Sequence, residues 1–343
     1  MPADLFLRAA RLQPVERTPI WLMRQAGRAM PGYRDIRSRY SLAEIVAQPE
    51  LCATVTLEPV QRLAVDAAVM FADIMLPLRG MGVDFELVDN VGPIIERPLR
   101  SHADVEALRV PDGDDAAPGV IAALRLVAAE SPVPVICFSG APFTLAAYLI
   151  EGRPSRDFLL TKRFMYEQSE AFGLLLDKLA STALVYLRAQ VAAGAKAVQL
   201  FDSWVGVLSP ADYVSTVAPH TRRIFESLAK LDVPRIHFGT ATAGLLEHIA
   251  ATGCDVVSLD WRIGLAAGWR LVGDAFAVQG NLDPAVLLGP PALVEKRARG
   301  LLGEADGQAG HIFNLGHGVL PETPIENLQR LVETVKAWEP VSA

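Results

Sequence analysis

Eight short apolar or β-branched runs recur along the chain, separated by segments with helical patterning: PIWLM from Pro19, DAAVMFAD from Asp66, PVICFSG from Pro134, KAVQLFDS from Lys196, PRIHFG from Pro234, DVVSLDW from Asp255, AFAVQGN from Ala275 and HIFNLGHG from His311. Each run is strand-sized and nearly continuous in apolarity, as strands buried on both faces of a parallel sheet are. Between the runs, Ser41 with Glu44 and Thr323 with Glu326 read as capping boxes, while Ser209-Pro210, Asp283-Pro284 and Thr323-Pro324 place a cap before a first-turn proline. Positions 328, 331, 332 and 335 are apolar and share one helical face. The stretch from Thr161 to Gly194 is the longest helical pattern and reads as one helix or two. Alternation of this kind, with no polar linker, predicts an α/β fold: one (β/α)8 TIM barrel domain over residues 1–343, not two doubly wound domains. Residues before Pro19 form an N-terminal extension, and FELVDNVGPIIERP from Phe85 reads as a hairpin insertion with Asp89-Asn90 at its turn.

Composition narrows the class. With 51% hydrophobic and 21% charged residues in 343, the chain can bury a large core and lies far from the disordered regime. No apolar run approaches the roughly 18–20 residues of a membrane span, and the N-terminus lacks the basic start and long apolar stretch of a secretion signal, so a cytoplasmic, membrane-free protein is expected. Cys52, Cys137 and Cys254 lie far apart without CxxC spacing, which predicts neither disulfides nor a zinc site. A formal net charge of -7 argues against a nucleic-acid surface, which needs an extended basic face. Against that balance, RQAGRAMPGYRDIRSR from Arg24 to Arg39 holds five arginines and no lysine. Arginine outnumbers lysine 26 to 6 overall, so part of this density is compositional, but the cluster must still serve something smaller than nucleic acid.

In such barrels the C-terminal strand ends carry the chemistry. Polar residues fall there: Arg24, Asp73, Ser139, Asp202 with Ser203, His237, Asp260, Gln279 with Asn281, and His317. Asp73 sits among apolar neighbours, where a carboxylate is costly unless paired or hydrogen-bonded; it is either half of a salt bridge to a cluster arginine or an anion awaiting a ligand's N–H groups. His317, flanked by Gly316 and Gly318, suits close ligand approach or a structural role; His237 reads as a satisfied interior residue, and Tyr148 as core packing or a site phenol. The loops QGN from Gln279 and LGHG from Leu315 resemble a backbone phosphate site, which favours a phosphosugar lyase or isomerase. That reading leaves five arginines unexplained, whereas guanidinium forks match a substrate with several carboxylates. Nucleotide, zinc-protease and serine-hydrolase motifs are absent, so a reaction without a cofactor is plausible on residues alone.

Taken together, PIWLMRQAGR with PGYR, MFADI, APFTLAAYLIEG, QLFDSWVG and FNLGHGVLPETP resemble the uroporphyrinogen decarboxylase family, in order and over nearly the whole chain. Only Ala141-Pro142 after Gly140 depart slightly from the family pattern. The resemblance implies a homodimeric barrel, with neither metal nor organic cofactor, that converts the four acetates of uroporphyrinogen III to methyl groups in haem biosynthesis. It implies that Arg24, Arg28 and Arg37 bind substrate carboxylates, that Asp73 binds the pyrrole N–H groups, and that Tyr148, Ser203 and His317 complete the polar site. Phe201 would contact the ring, and Gln25, Ala26 and Gly27 would contribute backbone contacts. Arg24, Tyr148 and His317 all remain open as proton donor, and the arginine segment is expected to be mobile until substrate orders it. Two other classes stand beside this one: a corrinoid-dependent methyltransferase of the same superfamily, which needs His and Cys ligands for zinc, and a non-catalytic tetrapyrrole-binding protein.

Overall fold

The computed structural model describes residues 4–88 and 91–339. Its strands are β1 (Ala68–Val69), β2 (Phe85–Val88), β3 (Gly92–Ile95), β4 (Val135–Gly140), β5 (Ala197–Asp202), β6 (Arg235–Gly239), β7 (Val256–Ser258), β8 (Ala277–Leu282) and β9 (His311–Leu315). One seven-stranded parallel sheet runs β1-β4-β5-β6-β7-β8-β9, while β2 and β3 pair antiparallel with Phe85 opposite Ile95. Sequential order and helical crossovers between parallel strands make this a TIM-barrel-like α/β fold. Every residue of β4, β8 and β9 is buried, which is why these segments read as unbroken apolar runs. Polar residues also lie inside: Gln279 accepts from the Trp21 indole at 2.9 Å and donates to Gln199 Oε1 at 3.1 Å and Ser258 Oγ at 2.9 Å.

Seven of the eight runs become sheet strands, and the first does not. Ile20 makes only an isolated parallel bridge to Phe313, while its carbonyl accepts from Asp66 N–H at 2.8 Å on the other side. The ladder stops there for local reasons. Pro19 has no N–H, Leu22 N–H is taken by Gln25 Oε1 at 2.9 Å and Met23 N–H by Asn314 Oδ1 at 2.9 Å, and Arg24 then turns to φ 60°.

The capping box at Ser41 and Glu44 forms, and Ser209 and Asp283 cap the turns that begin with Pro210 and Pro284. Thr323 does not cap: the last helix, Ile325–Lys336, begins one residue later than its sequence predicts, and Thr323 is buried with a hydroxyl that has no hydrogen-bond partner among the described residues. Its apolar face is as expected, with Leu328, Leu331, Val332 and Val335 buried. The Thr161–Gly194 stretch is two helices, Leu159–Glu167 and Ser169–Ala192. The hairpin is present, and Asp89-Asn90 at its turn lie outside the described residues.

Candidate active site

The chain just after the first run places the leading arginine. Gln25 is buried, its amide tied to Leu22 N–H and to Ala67 O at 3.0 Å, so its side chain fastens this bend to the approach of β1. Arg24 lies on the bend with φ 60°, a strained left-handed conformation for a non-glycine residue. Its aliphatic stem runs against Gly318: a Cβ added there would sit 2.3 Å from Arg24 Cδ. Ala26 is buried, and Gly27 approaches the Arg24 carbonyl closely, an ideal Cβ falling 2.9 Å from it.

The arginine segment is more regular than its Pro31-Gly32 pair suggests. Pro31–Arg37 is a helix whose first turn donates from Gly32 N–H and Tyr33 N–H to the Glu58 carboxylate at 2.8 and 2.9 Å. Glu58 thus supplies the cap that no local residue provides. Arg28, Arg34 and Arg37, with Tyr33, Ser38 and Pro321, line a recess of about 370 Å³. Arg34 donates to the Arg28 and Ala29 carbonyls, and Arg37 to Tyr40 O at 2.8 Å. Arg39 turns away, 59% exposed and paired with Asp35 at 2.7 Å.

Asp73 follows β1 and is half-buried; among the described residues it makes no salt bridge, and it accepts from Met75 N–H at 2.8 Å. Burial pushes its carboxyl pKa up, against the Met75 hydrogen bond and the Arg24 charge. Tyr148, on helix Pro142–Glu151, is held above the usual phenol value by burial and by the Asp73 charge, with the Trp204 side chain and Arg24 opposing. His317 is pushed down to about 4 by burial and by Arg24 and Arg262. The Arg24 charge therefore acts on Asp73, Tyr148 and His317 alike, which brings these four together at the C-terminal strand ends.

Aromatic rings wall the same mouth. Phe201, half-buried in β5, packs against Phe138 at 5.1 Å and Phe238 at 5.7 Å, and Phe238 lies 6.1 Å from the His317 ring. Ser203, the next residue but one, is half-buried. Trp204 packs on Tyr148 at 5.9 Å, and its backbone N–H donates to Thr144 Oγ1, which donates onward to the buried Asp202 at 2.9 Å. Trp204 and Arg34 belong to this environment without having been singled out by the sequence, although each lies in a motif quoted above, QLFDSWVG and PGYR.

Other expectations need correction. His237 is interior but unsatisfied: neither ring nitrogen has a hydrogen bond among the described residues, and Asp202 Oδ2 stands 3.6 Å away. In the two loops read as a phosphate site, the Gln279 side chain is bonded inside, Asn281 donates to Asp260 O at 2.8 Å and Ile263 O at 2.7 Å, and the amides of Leu315 and Gly316 are taken by Asn314 Oδ1 and the Leu282 carbonyl at 2.8 Å each. Cys52, Cys137 and Cys254 are free and buried, the first and last thiols pushed up to about 12 by desolvation. Among the described residues no group of three or more His, Cys, Asp or Glu could hold a metal, and no helix is long and apolar enough to cross a membrane.

The family model for uroporphyrinogen decarboxylase matches residues 1–338. The chain belongs to that family. A uroporphyrinogen decarboxylase of Thermus thermophilus is 53% identical over 333 residues, 97% of each chain. One from Chloroflexus aurantiacus is 51% identical over 340 residues, 98% of this chain and 96% of that one. Among solved structures, a methyltransferase from Methanosarcina mazei superposes with a TM-score of 0.81 over 97% of this chain and 98% of its own. At 19% identity it shares the fold, and the uroporphyrinogen decarboxylase family is set by the closer sequences.

The buried histidines give a pH prediction. His317 and His311 both have imidazoles pushed down to about 4 from an ordinary 6.5, His311 by burial against the Gly280 carbonyl bond. Between those values the unfolded chain binds protons that the folded chain does not, so stability present above pH 6.5 is lost as pH falls toward 4. In urea titrations, His317→Gln should lower the slope of unfolding free energy against pH by about one proton's worth, roughly 1.4 kcal/mol per pH unit. An unchanged slope would show that His317 is charged in the folded protein.

Proposed function

We propose that the chain decarboxylates the four acetate side chains of uroporphyrinogen III, giving coproporphyrinogen III, without metal or organic cofactor. One observation carries the reading: a desolvated Asp73 carboxylate, with no salt bridge among the described residues, lies within the field of Arg24, whose charge also reaches Tyr148 and His317. A carboxylate so placed lacks the N–H partners that a macrocycle's pyrroles supply. The Arg28–Arg34–Arg37 recess fits peripheral carboxylates, and the Phe138–Phe201–Phe238 wall fits the ring itself. Ser203 and the backbone of Gln25, Ala26 and Gly27 complete the substrate contacts in this reading.

In the reaction a proton adds to the pyrrole carbon adjacent to the one that bears the acetate, and the cationic ring accepts the electron pair of the C–CO2 bond as carbon dioxide leaves, forming an exocyclic methylene. A second proton converts the exocyclic methylene to methyl, and the ring carbon returns the first, so each cycle consumes one proton. Asp73 stabilises the cationic ring from a fixed position. His317, neutral at physiological pH, acts as a hydrogen-bonding group and not as an imidazolium acid, which leaves Arg24 and the protonated Tyr148 phenol as donors.

Assayed anaerobically and stripped of metal, the protein should convert uroporphyrinogen through seven-, six- and five-carboxyl intermediates to the four-carboxyl product. Binding without conversion would instead support a tetrapyrrole-binding protein. The methyltransferase reading is less favoured because Cys254 precedes β7, buried with its thiol toward Ile249 O, and His237 faces Phe225.

The same proposal treats the chain as one cytoplasmic barrel domain. Bridging of Pro19–Trp21 to Phe313 and Asp66 supports this segment as the eighth staff, with the β2–β3 hairpin an insertion and residues before Pro19 an extension. Pairing into a homodimer is supported by exposed Leu159, Leu160, Tyr166 and Val214, on elements that Tyr166 joins to Asp212 at 2.9 Å. A monomeric mass in sedimentation at micromolar concentration would overturn it.

A further inference from the structure

At the end of β7 the chain reads Asp260-Trp261-Arg262, and its arginine lies outside the cluster that dominates the sequence. The Arg262 guanidinium stacks on the Trp261 ring, 4.0 Å from its centroid, and Nη1 donates to Asp260 Oδ2 at 2.6 Å. Trp261 in turn stands edge-on to the His317 ring at 6.1 Å. Asp260 is buried and already occupied, accepting also from Ala241 N–H at 2.5 Å and from Arg262 N–H at 3.1 Å. Its carboxylate is therefore a brace shared among three donors. The guanidinium has five N–H donors, gives one to Asp260, and keeps 45% of the side chain exposed.

From this juxtaposition we infer that Arg262 is a separate carboxylate subsite, holding one peripheral carboxylate of the substrate on the β7 side of the mouth, apart from the Arg28–Arg34–Arg37 recess. The inference rests on the proposed substrate. A side chain clamped by a ring on one face and a carboxylate at one edge has little rotamer freedom left to lose when a ligand arrives, so its remaining donors are preorganised. A carboxylate accepts two parallel N–H bonds from such a fork. The Arg262 charge reaches the site already, since it helps to hold the His317 imidazole neutral. A macrocycle with carboxylates around its whole perimeter cannot place all of them in one recess, and Arg262 supplies a fixed cation for another edge.

The test compares Arg262→Ala and Arg262→Lys with the unaltered protein. Losing one charge-assisted fork should raise KM for uroporphyrinogen roughly tenfold in Arg262→Ala while kcat stays within about threefold. Arg262→Lys, which keeps the charge and loses the fork, should recover about half of that loss on a logarithmic scale. A purely structural brace would instead lower the unfolding midpoint and kcat in both variants and leave KM unchanged; that pattern overturns the inference. Uroporphyrin, the oxidised eight-carboxyl macrocycle, gives a second readout by fluorescence that does not require turnover. Arg262-dependent uroporphyrin binding in a protein that releases no carbon dioxide would sink the decarboxylase reading and leave the subsite standing. Normal turnover with KM and uroporphyrin affinity indifferent to Arg262 would do the reverse.

Discussion

Asp73→Asn should cut kcat by about 10²–10³ while leaving the fold intact, because one preorganised electrostatic contact to a transition state is worth roughly 3–4 kcal/mol. The two effects separate for a structural reason. Asp73 makes no salt bridge among the described residues and accepts from Met75 N–H at 2.8 Å, a bond that an asparagine carbonyl also accepts. The substitution removes a carboxylate that burial already disfavours, so the unfolding midpoint should hold or rise. What is lost is the negative charge facing the cationic pyrrole, along with acceptor capacity for several N–H groups at once. Asp73→Glu keeps the charge and misplaces it, and should retain part of the activity. Steady-state kinetics beside urea unfolding measures both quantities; near-normal kcat in Asp73→Asn would remove Asp73 from the mechanism.

Gly318→Ala should lower kcat/KM roughly 10- to 100-fold without deleting any functional group, a loss comparable to that of one charge-assisted contact in a site. The added methyl would fall 2.3 Å from Arg24 Cδ and 2.7 Å from Cγ, in the middle of the side chain and not at its far end. Arg24 has little room to adjust by backbone movement, since its φ of 60° already occupies a narrow left-handed well. The guanidinium must therefore leave its position beside Asp73, Tyr148 and His317. Gly300→Ala and Gly303→Ala serve as controls: both lie in helix Pro291–Ala305, where an added Cβ meets nothing within 4 Å. If Gly318→Ala matched these controls in kcat/KM, the placement of Arg24 against Gly318 would be wrong.

Much of the architecture is legible in the sequence because parallel strands covered on both faces must be apolar along their length, as β4, β8 and β9 are. Caps made by adjacent residues, such as Ser41 with Glu44, are legible for the same local reason. What escapes local reading depends on partners distant in the chain. The first run loses its ladder to the Gln25 and Asn314 side chains, and Pro31–Arg37 becomes a helix through Glu58, 26 residues after Gly32. His237 looks satisfied in sequence because nothing there shows that Asp202 stops at 3.6 Å. At the site, motif resemblance marks Arg24, Asp73, Tyr148 and His317, and the fold brings them into one electrostatic neighbourhood. Arg262 escapes because its significance lies in the stacking on Trp261 and the brace from Asp260, neither of which a single arginine after a strand announces.

The central claim is that this site removes carboxyl groups from all four acetates using its own side chains. The most direct measurement is carbon dioxide release from uroporphyrinogen labelled in the acetate carboxyls, under anaerobic conditions, with protein freed of metal by chelation and dialysis. The account predicts four labelled carbon dioxide molecules per substrate, with one proton taken up for each. Saturable binding with no labelled carbon dioxide, or release only after a metal or organic cofactor is restored, would contradict it.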